Sequence, residues 1–396
     1  MNNTQTLTAQ VHPWGRLVTT SVAHMTEHLY IGIITVVLPI MAVALGMSNT
    51  QAGFLISARA LVAGLSNIPS GLLADMTGRR SLILGVCLVL LGSSSMLMSF
   101  APDFWTLLVF MALGAIGAGG FHPQSLGILS AAYRDRRALA LGVHDSGGNL
   151  GEVLAPLTIG TLLSYMSWRG TLQVWAVPGL VIGLLYALFC VEINTSTLSR
   201  AGFSRAMRDH VLTNPAVLKI FVVSVFRTMG QTSLLLFLPF YMYGDLQFSK
   251  GAVGGYLSIL FLFAGLAPSF SGWLSDKVGR VPMLIAGLAA SAVSIAIIPY
   301  LDPGIPLAIG LGVVGTALWA VRPVIFASAM EAAPPQVASS IVGFLFTGNM
   351  GLSSVSPILA GLVADAMGYG AALIFIGVFP LLACVVALVF LTRARA

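Results

Sequence analysis

The sequence predicts an all-α membrane protein in which twelve transmembrane helices form two pseudo-symmetric six-helix bundles. Of the 396 residues, 57% are apolar and 8% are charged, whereas a soluble domain carries about 25% charged residues. The apolar residues form long continuous runs, which favours helices over the alternating strands of a β-barrel. In addition, motifs of the first half of the chain recur in the second half.

This composition excludes several classes of protein. Such a low share of charged residues is not typical of a cytosolic enzyme, a disordered protein or a nucleic-acid-binding protein. Residues 1–14 are polar and lack the basic, apolar and cleavage regions of a signal peptide, so we expect that none is removed.

The positions of the apolar runs define the individual helices. Each crossing takes about 20 residues plus a short connection, so the chain has room for about twelve crossings. We predict spans near 16–45, 51–74, 81–100, 104–128, 138–164, 168–191, 216–243, 251–274, 281–300, 306–330, 337–364 and 368–392. The chain is thereby divided into an N-terminal bundle (1–191), a polar linker (192–215) and a C-terminal bundle (216–396).

Basic residues predict the orientation of these spans. Of the 19 Lys and Arg residues, only Arg169 and Lys250 lie on one side of the predicted membrane, and three lie inside spans. The remainder lie on the side of the termini and the linker. Because basic loops stay in the cytoplasm, we expect both termini and the linker to be cytoplasmic. The net charge of +6 is therefore a topology signal, and we expect no nucleic-acid partner.

The two halves repeat each other at an offset of about 200 residues. The pattern Ser70-Gly71-x3-Asp75-x2-Gly78-Arg79 recurs as Ser271-Gly272-x3-Asp276-x2-Gly279-Arg280. Three further patches recur in register, including Gly148-Asn149-x-Gly151, which recurs as Gly348-Asn349-x-Gly351. Parallel repeats of this kind place a substrate site near the midplane and allow one half to rock on the other.

The first copy of this pattern carries a family resemblance. Gly71-Leu-Leu-Ala-Asp75-Met-Thr-Gly78-Arg79-Arg80 resembles the G-x-x-x-D-R-x-G-R-R signature of the major facilitator superfamily, and a weaker copy follows span 8. The resemblance implies the major facilitator fold. We predict a cytoplasmic latch in which a tight glycine turn brings Asp75 to a helix N-terminus and to cations of a neighbouring span. The residues assigned to gating are Gly71, Asp75, Gly78, Arg79, Arg80, Asp276, Gly279 and Arg280.

Three patches of the first half resemble the fosmidomycin-resistance group of efflux proteins. They are His24-x3-His28-Leu29-Tyr30, Phe121-His122-Pro123 and Gly147-Gly148-Asn149-x-Gly151-x4-Pro156. This narrower resemblance implies proton-driven export of a small, often anionic compound, associated with drug resistance, across the inner membrane of a bacterium.

Proton coupling is predicted from acids inside the spans, because an ionisable group in a bilayer usually faces a cavity. Glu27 lies on one face of span 1 with His24 and His28, at i, i+3 and i+4. We predict that Glu27 carries the proton and forms an ion pair with Arg227 that is made and broken during transport; a static pair is the alternative. Asp145 and Glu152 share a face of span 5 and could pass a proton towards Glu27.

Substrate binding is predicted at arginines inside the spans. Guanidinium groups present a fixed fork of donors that matches carboxylate or phosphonate oxygens. Alternatively, these arginines pair with the acids, and the two asparagines only join helices. The predicted substrate residues are Arg59, His122, His144, Arg227, Arg322, Asn149 and Asn349.

These features together predict a secondary transporter and no enzyme activity. No G-x-x-x-x-G-K-[ST] loop occurs, so we expect a proton gradient in place of ATP and no cofactor. We predict a monomeric proton-coupled antiporter that exports a small anionic or amphipathic compound and holds no metal. Two alternatives remain: an importer of a small organic anion, and a divalent-metal carrier that uses the intramembrane His, Glu and Asp side chains.

Overall fold

Long helices make up almost all of the described chain, as the apolar runs predict. The computed structural model describes residues 13–133, 136–190, 192, 212–332 and 338–391. The first half contains α1 (Pro13–Ala44), α2 (Asn49–Thr77), α3 (Arg80–Met98), α4 (Phe104–Ala132), α5 (Arg137–Tyr165) and α6 (Trp168–Phe189). The second half contains α7 (Pro215–Gly244), α8 (Lys250–Val278), α9 (Arg280–Ile297), a short 3-10 turn (Ile298–Tyr300), α10 (Ile305–Glu331), α11 (Ala338–Ser353), α12 (Val355–Met367) and α13 (Tyr369–Leu391).

The count of predicted spans agrees with these helices. Within the described residues, eleven helices are long and apolar enough to cross a membrane, if α11 and α12 are taken as one span, Ile341–Met367. The remaining predicted span, 138–164, is α5, a helix of 29 residues that is more polar because it carries His144, Asp145 and Glu152. Most of the predicted linker, 192–215, lies outside the described residues.

Equivalent helices occupy equivalent places in the two halves. In the first half, α3 packs between α4 and α6, and α2 packs on α4. In the second half, α9 likewise packs on α10 and α13, and α8 packs on α10. The halves meet along two seams, one between α2 and the pair α11 and α12, and one between α5 and α8.

The seam along α2 is tight at one end and open at the other. A Cβ atom at Gly53 would lie 2.3 Å from the carbonyl oxygen of Pro357, so only glycine permits this approach. Further along α2, a Cβ at Gly64 would lie 3.1 Å from Cβ of Met350. At Gly71, no described atom of the second half lies within 4 Å of such a Cβ. The distance between α2 and the second half therefore increases along the helix.

The seam along α8 repeats this pattern 201 residues later. A Cβ at Gly254 would lie 2.3 Å from the carbonyl oxygen of Pro156, and one at Gly265 would lie 3.4 Å from Cβ of Asn149. A Cβ at Gly272 would meet no described atom within 4 Å. We call the end of the molecule at which α2 and α8 begin the closed end, and the other end the open end.

The hydrophobic core follows the same division. One cluster of buried side chains includes residues of both halves, among them Leu38, Ile159, Leu257 and Leu373. The other two clusters each belong to a single half: one is centred on Leu284 and Ile325, and the other joins Leu17, Leu129 and Ala140. The halves thus share a core near the closed end and have separate cores near the open end.

Candidate transport site

The intramembrane acid predicted to carry the proton lies in a chain of contacts between α1 and α5. Nε2 of His28 lies 3.5 Å from Oε2 of Glu27, and Nδ1 of His28 lies 3.1 Å from Oε1 of Glu152. Glu27 is only 2% exposed, whereas the His28 and Glu152 side chains are each 12% exposed. The structure thereby joins three of the residues predicted for proton coupling, with the imidazole between the two carboxyl groups.

Four histidines predicted from different spans come together around Glu27. His122, on α4, has its Nε2 atom 4.0 Å from Oε2 of Glu27. The ring of His24 lies edge-on to that of His28, with centroids 4.5 Å apart, and stacks on that of His144 at 4.1 Å. The cluster is therefore built by α1, α4 and α5 and belongs to the first half.

The glycine-rich motif of α5 makes room for this cluster. A Cβ at Gly148 would lie 2.6 Å from Cε1 of His24, and a Cβ at Gly151 would lie 3.1 Å from Cβ of His28. Either side chain would force the imidazoles out of place. The motif that carried a family resemblance in the sequence thus has a steric role at the site.

Backbone contacts fix the tautomer of His24. Its Nδ1 atom lies 2.8 Å from the backbone carbonyl oxygen of His144, and a carbonyl only accepts hydrogen bonds, so Nδ1 carries the proton. The Nε2 atom of the neutral ring then presents a lone pair, and it is buried without a hydrogen bond among the described residues. Oε2 of Glu27 is buried in the same state. The cluster therefore offers atoms that could hold a proton or a metal ion.

The predicted ion pair between Glu27 and Arg227 is not formed in this conformation. Nε and Nη2 of Arg227 donate to the carbonyl oxygen of Leu318 on α10, at 2.9 and 2.5 Å, and Nη1 donates to Gln231 one turn along α7. Arg227 also lies over the ring of Trp319, 5.8 Å from its centroid. The prediction failed here because a backbone carbonyl, which has no sequence signature, satisfies the guanidinium.

Arg59 and Arg322 have more freedom. Arg59 is half-buried, lies close enough to Glu27 to interact with it electrostatically, and lines a small cavity together with Tyr30. Arg322 is exposed, and its guanidinium lies 5.8 Å from the ring centroid of Phe346. Neither arginine forms an ion pair with any residue that the structure describes. Both are placed to bind an anionic ligand.

The remaining predicted site residues differ in position. Asp145 is exposed and lies within electrostatic reach of Arg322 but outside the contacts that join Glu27 to Glu152. Asn149 faces the α8 seam at Gly265. Asn349 is buried and donates a 2.8 Å hydrogen bond from Nδ2 to Oγ of Ser224, so in this conformation it joins two helices of the second half.

The signature loop joins α2 to α3. Gly78 ends α2 with φ +68°, a left-handed conformation that favours glycine. Asp75 pairs with Arg80, whose Nη1 also donates to Oε1 of Gln124 on α4 at 3.3 Å, while Arg79 is exposed. All these contacts lie within the first half.

The predicted contact of Asp75 with a helix N-terminus is replaced by a different one. The carboxylate of Glu192 accepts hydrogen bonds from the backbone amides of Ser81 and Leu82, each at 2.9 Å, and so caps the start of α3. A carboxylate is favoured there because the amide dipoles of a helix point their positive ends at its N-terminus.

The second copy of the signature uses the same chemistry within its own half. Gly279 has φ +94° and ends α8, and Nη1 of Arg280 lies 2.6 Å from Oδ1 of Asp276. Nη2 of Arg280 pairs with Oε1 of Glu331 at the end of α10, at 2.9 Å. Neither copy contributes a printed contact between the halves at the open end, in agreement with the separation of the seams there.

Sequence reasoning missed several residues that shape the site. Gln231 was detectable, because it lies four residues after Arg227 on the same helix face. Ser125, whose Oγ atom lies 3.2 Å from Nε2 of His144, gave no signal. Asp365, which contacts the start of α2, gave none either, since its partner is distant in sequence.

Comparison with known proteins agrees with this architecture. The sequence pattern of the Major Facilitator Superfamily matches residues 20–249 and 220–396. Similar proteins include an MFS-type transporter of Bacillus subtilis strain 168, 22% identical over 378 residues that cover 92% of this chain and 90% of that protein. The fosmidomycin resistance protein of Escherichia coli K12 is 23% identical over 364 residues, which cover 89% and 87% of the two chains.

A solved structure shares the fold. A bacterial homologue of the human lysosomal transporter Spinster, in an inward-facing and unoccupied conformation, superposes with a TM-score of 0.83 at 20% identity, over 97% of this chain and 98% of that one. These relatives are transporters and not enzymes, as the sequence predicted. The chain is a multi-pass membrane transporter and belongs to the Major Facilitator Superfamily.

Proposed function

We propose that the protein is a proton-coupled antiporter that exports a small anionic or amphipathic compound by alternating access. It acts as a monomer in the bacterial inner membrane, with both termini in the cytoplasm. The basic residues of the loops at the open end support this orientation, because such loops stay in the cytoplasm. The open end then faces the cytoplasm, where an exporter takes up its cargo.

The observation that carries this proposal is the contact chain from Glu27 through His28 to Glu152. An imidazole between two carboxyl groups can accept a proton on one nitrogen and release one from the other, so the three groups form a physical route for a proton. His122, whose side chain is 30% exposed, connects this route to the space between the halves. Glu27 is the innermost group and serves as the proton carrier.

Arginines that have no carboxylate partner among the described residues support an anionic cargo. Arg322 is exposed between the halves, and Arg59 lies beside the acid cluster. A guanidinium remains charged in a poorly hydrated site and binds carboxylate or phosphonate oxygens in a bidentate manner. The similarity to a fosmidomycin resistance protein and to a multidrug resistance efflux pump of Lactococcus lactis favours export over import.

Alternating access is supported by the two glycine seams. Gly53 and Gly254 allow close contact at the closed end, while Gly71 and Gly272 lie at matching positions with free space beside them at the open end. A rocking motion of one half on the other closes the open end and separates the helices at the closed end.

The experiment is a flux assay in proteoliposomes with an imposed pH gradient. The purified protein is reconstituted, the lumen is made acidic, and uptake of fosmidomycin, an anionic phosphonate, is compared with uptake of puromycin and of a neutral solute. We expect fosmidomycin to accumulate while a luminal dye reports loss of protons, and a protonophore to abolish both signals. Accumulation that requires an acidic exterior instead of an acidic lumen would identify a symporter and contradict the proposal.

A further inference from the structure

We propose that His24, His28, His122 and Glu27 form a binding site for a divalent transition-metal ion. Each side chain offers one ligand atom, and these four atoms all lie within 4.8 Å of one another. In a tetrahedral zinc site with bonds of about 2.0–2.1 Å, ligand atoms lie about 3.3 Å apart. Oε2 of Glu27 is 3.5 Å from Nε2 of His28 and 4.0 Å from Nε2 of His122, so small side-chain rotations would complete the site.

Two buried atoms of this set have no hydrogen bond among the described residues. Nε2 of His24 and Oε2 of Glu27 are both in this state, and the two residues are 4% and 2% exposed. Buried polar atoms are normally paired, because an unpaired one loses its hydration without compensation. A metal ion between them would accept a lone pair from each, which gives these otherwise unexplained atoms a common partner.

Outer contacts hold the ligands in the required orientation. His28 is contacted at Nδ1 by Glu152, and His24 donates from Nδ1 to the carbonyl oxygen of His144. Both contacts leave the Nε2 atom directed at the cluster. Histidines that bind metals characteristically use their second nitrogen in this way, with a carboxylate or a backbone carbonyl as its partner. The arrangement supplies both the ligands and their support.

Charge and ligand type define the class of ion. The carboxylates of Glu27 and Glu152 offset the positive charges of Arg59 and Arg322, which lie within electrostatic reach. Three imidazoles with one carboxylate suit Zn²⁺, Ni²⁺ or Co²⁺, whereas Mg²⁺ and Ca²⁺ prefer oxygen ligands throughout. The inference goes beyond the proposed export activity, since an ion can bind to this cluster in a protein that is not transporting.

The test measures binding of Co²⁺ to the purified full-length protein in detergent, prepared without a polyhistidine tag. We expect one Co²⁺ per chain, the intense visible absorption of tetrahedral Co²⁺ with nitrogen ligands, and displacement by Zn²⁺. His24→Ala and His28→Ala should each abolish this absorption. Glu152→Gln removes only the outer carboxylate and should weaken binding by about 10–100-fold. His12→Ala, outside the described residues, is the matched control and should bind as the wild type does.

Two results would overturn the inference. One is the absence of bound Co²⁺ in the wild-type protein, and the other is unchanged affinity in both His24→Ala and His28→Ala. If these two variants elute as aggregates in size-exclusion chromatography, the wild-type spectrum and the affinity of Glu152→Gln decide the question. Flux coupled to protons without metal binding would remove only this inference, whereas metal binding without such flux would remove only the proposed export function.

Discussion

The carboxylate of Asp365 binds the first turn of α2 beside Thr50 and joins the two halves at the closed end. Oδ1 accepts a 2.9 Å hydrogen bond from the backbone amide of Asn49, and Oδ2 accepts bonds of 2.9 and 2.5 Å from the amide and the hydroxyl of Thr50. α12 thus caps a helix of the other half. An anion at a helix N-terminus is favoured by the helix dipole, which makes this contact a lock on the present conformation.

Asp365→Ala should therefore loosen the closed end. Loss of a charge at a helix N-terminus is worth about 0.3–1 kcal/mol, and up to about 2 kcal/mol where the contact is partly buried. We expect a broader and longer distance distribution between spin labels placed at Val43→Cys and Met367→Cys in a background without native cysteines, since both positions are exposed at the closed end. Asp302→Ala, at another exposed acid, is the control. An unchanged distribution in Asp365→Ala would refute the lock.

Glu27→Gln should separate exchange from uphill transport. Glutamine keeps the size and hydrogen-bonding capacity of the side chain but can neither bind nor release a proton. We expect accumulation driven by a pH gradient to fall to background, while counterflow of labelled cargo continues near the wild-type rate. The surface variant Asp302→Asn should retain both activities. Uphill flux that survives in Glu27→Gln would assign proton coupling to another group.

Arg322→Ala and Arg227→Ala should have different effects, although the sequence predicts one role for both. Loss of a charge-assisted hydrogen bond of about 1.5 kcal/mol should weaken an anionic cargo about tenfold in Arg322→Ala and leave a neutral cargo unaffected. Binding titrations with both cargoes test this expectation, and an equal loss for the two cargoes would contradict it.

Arg227→Ala should mainly lower stability, because its guanidinium holds the carbonyl oxygen of Leu318 and the side chain of Gln231. Interhelical polar contacts in membranes are worth about 1–2 kcal/mol. We therefore expect a lower thermal midpoint in detergent for Arg227→Ala, and a wild-type midpoint for Arg322→Ala. The reverse order would show that Arg322 is the structural residue.

Gly53→Ala and Gly254→Ala should disfavour the present conformation. The added methyl group would lie 2.3 Å from a carbonyl oxygen in each variant, and such overpacking costs about 1–3 kcal/mol. The matched control is Gly272→Ala, whose methyl group would meet open space. Labels across the closed end should report separation in the first two variants only. Identical behaviour of all three would show that the seam does not control access.

Much of the fold could be predicted from the sequence because hydrophobic runs report burial in lipid directly. The spans near 16–45 and 251–274, for example, correspond to α1 and α8 within a few residues. The break between α11 and α12 at Ser354 could not be located from hydropathy, because the apolar composition continues across it. The convergence of His24, Glu27 and His28 followed from helical spacing, whereas their contacts with His122 and Glu152 depended on how α4 and α5 pack.

The sequence by itself determined the membrane class, the internal repeat and the identity of the ionisable side chains within the spans. Only the tertiary structure decided which of these side chains meet. It placed His28 between two carboxyl groups, gave Arg227 a backbone carbonyl as its partner, and left Arg322 exposed. The physical reason is that hydropathy and helical period act along one chain segment, whereas a hydrogen bond or an ion pair between segments depends on the register and tilt of packed helices. In this protein those are set by close glycine contacts such as Gly53 on Pro357.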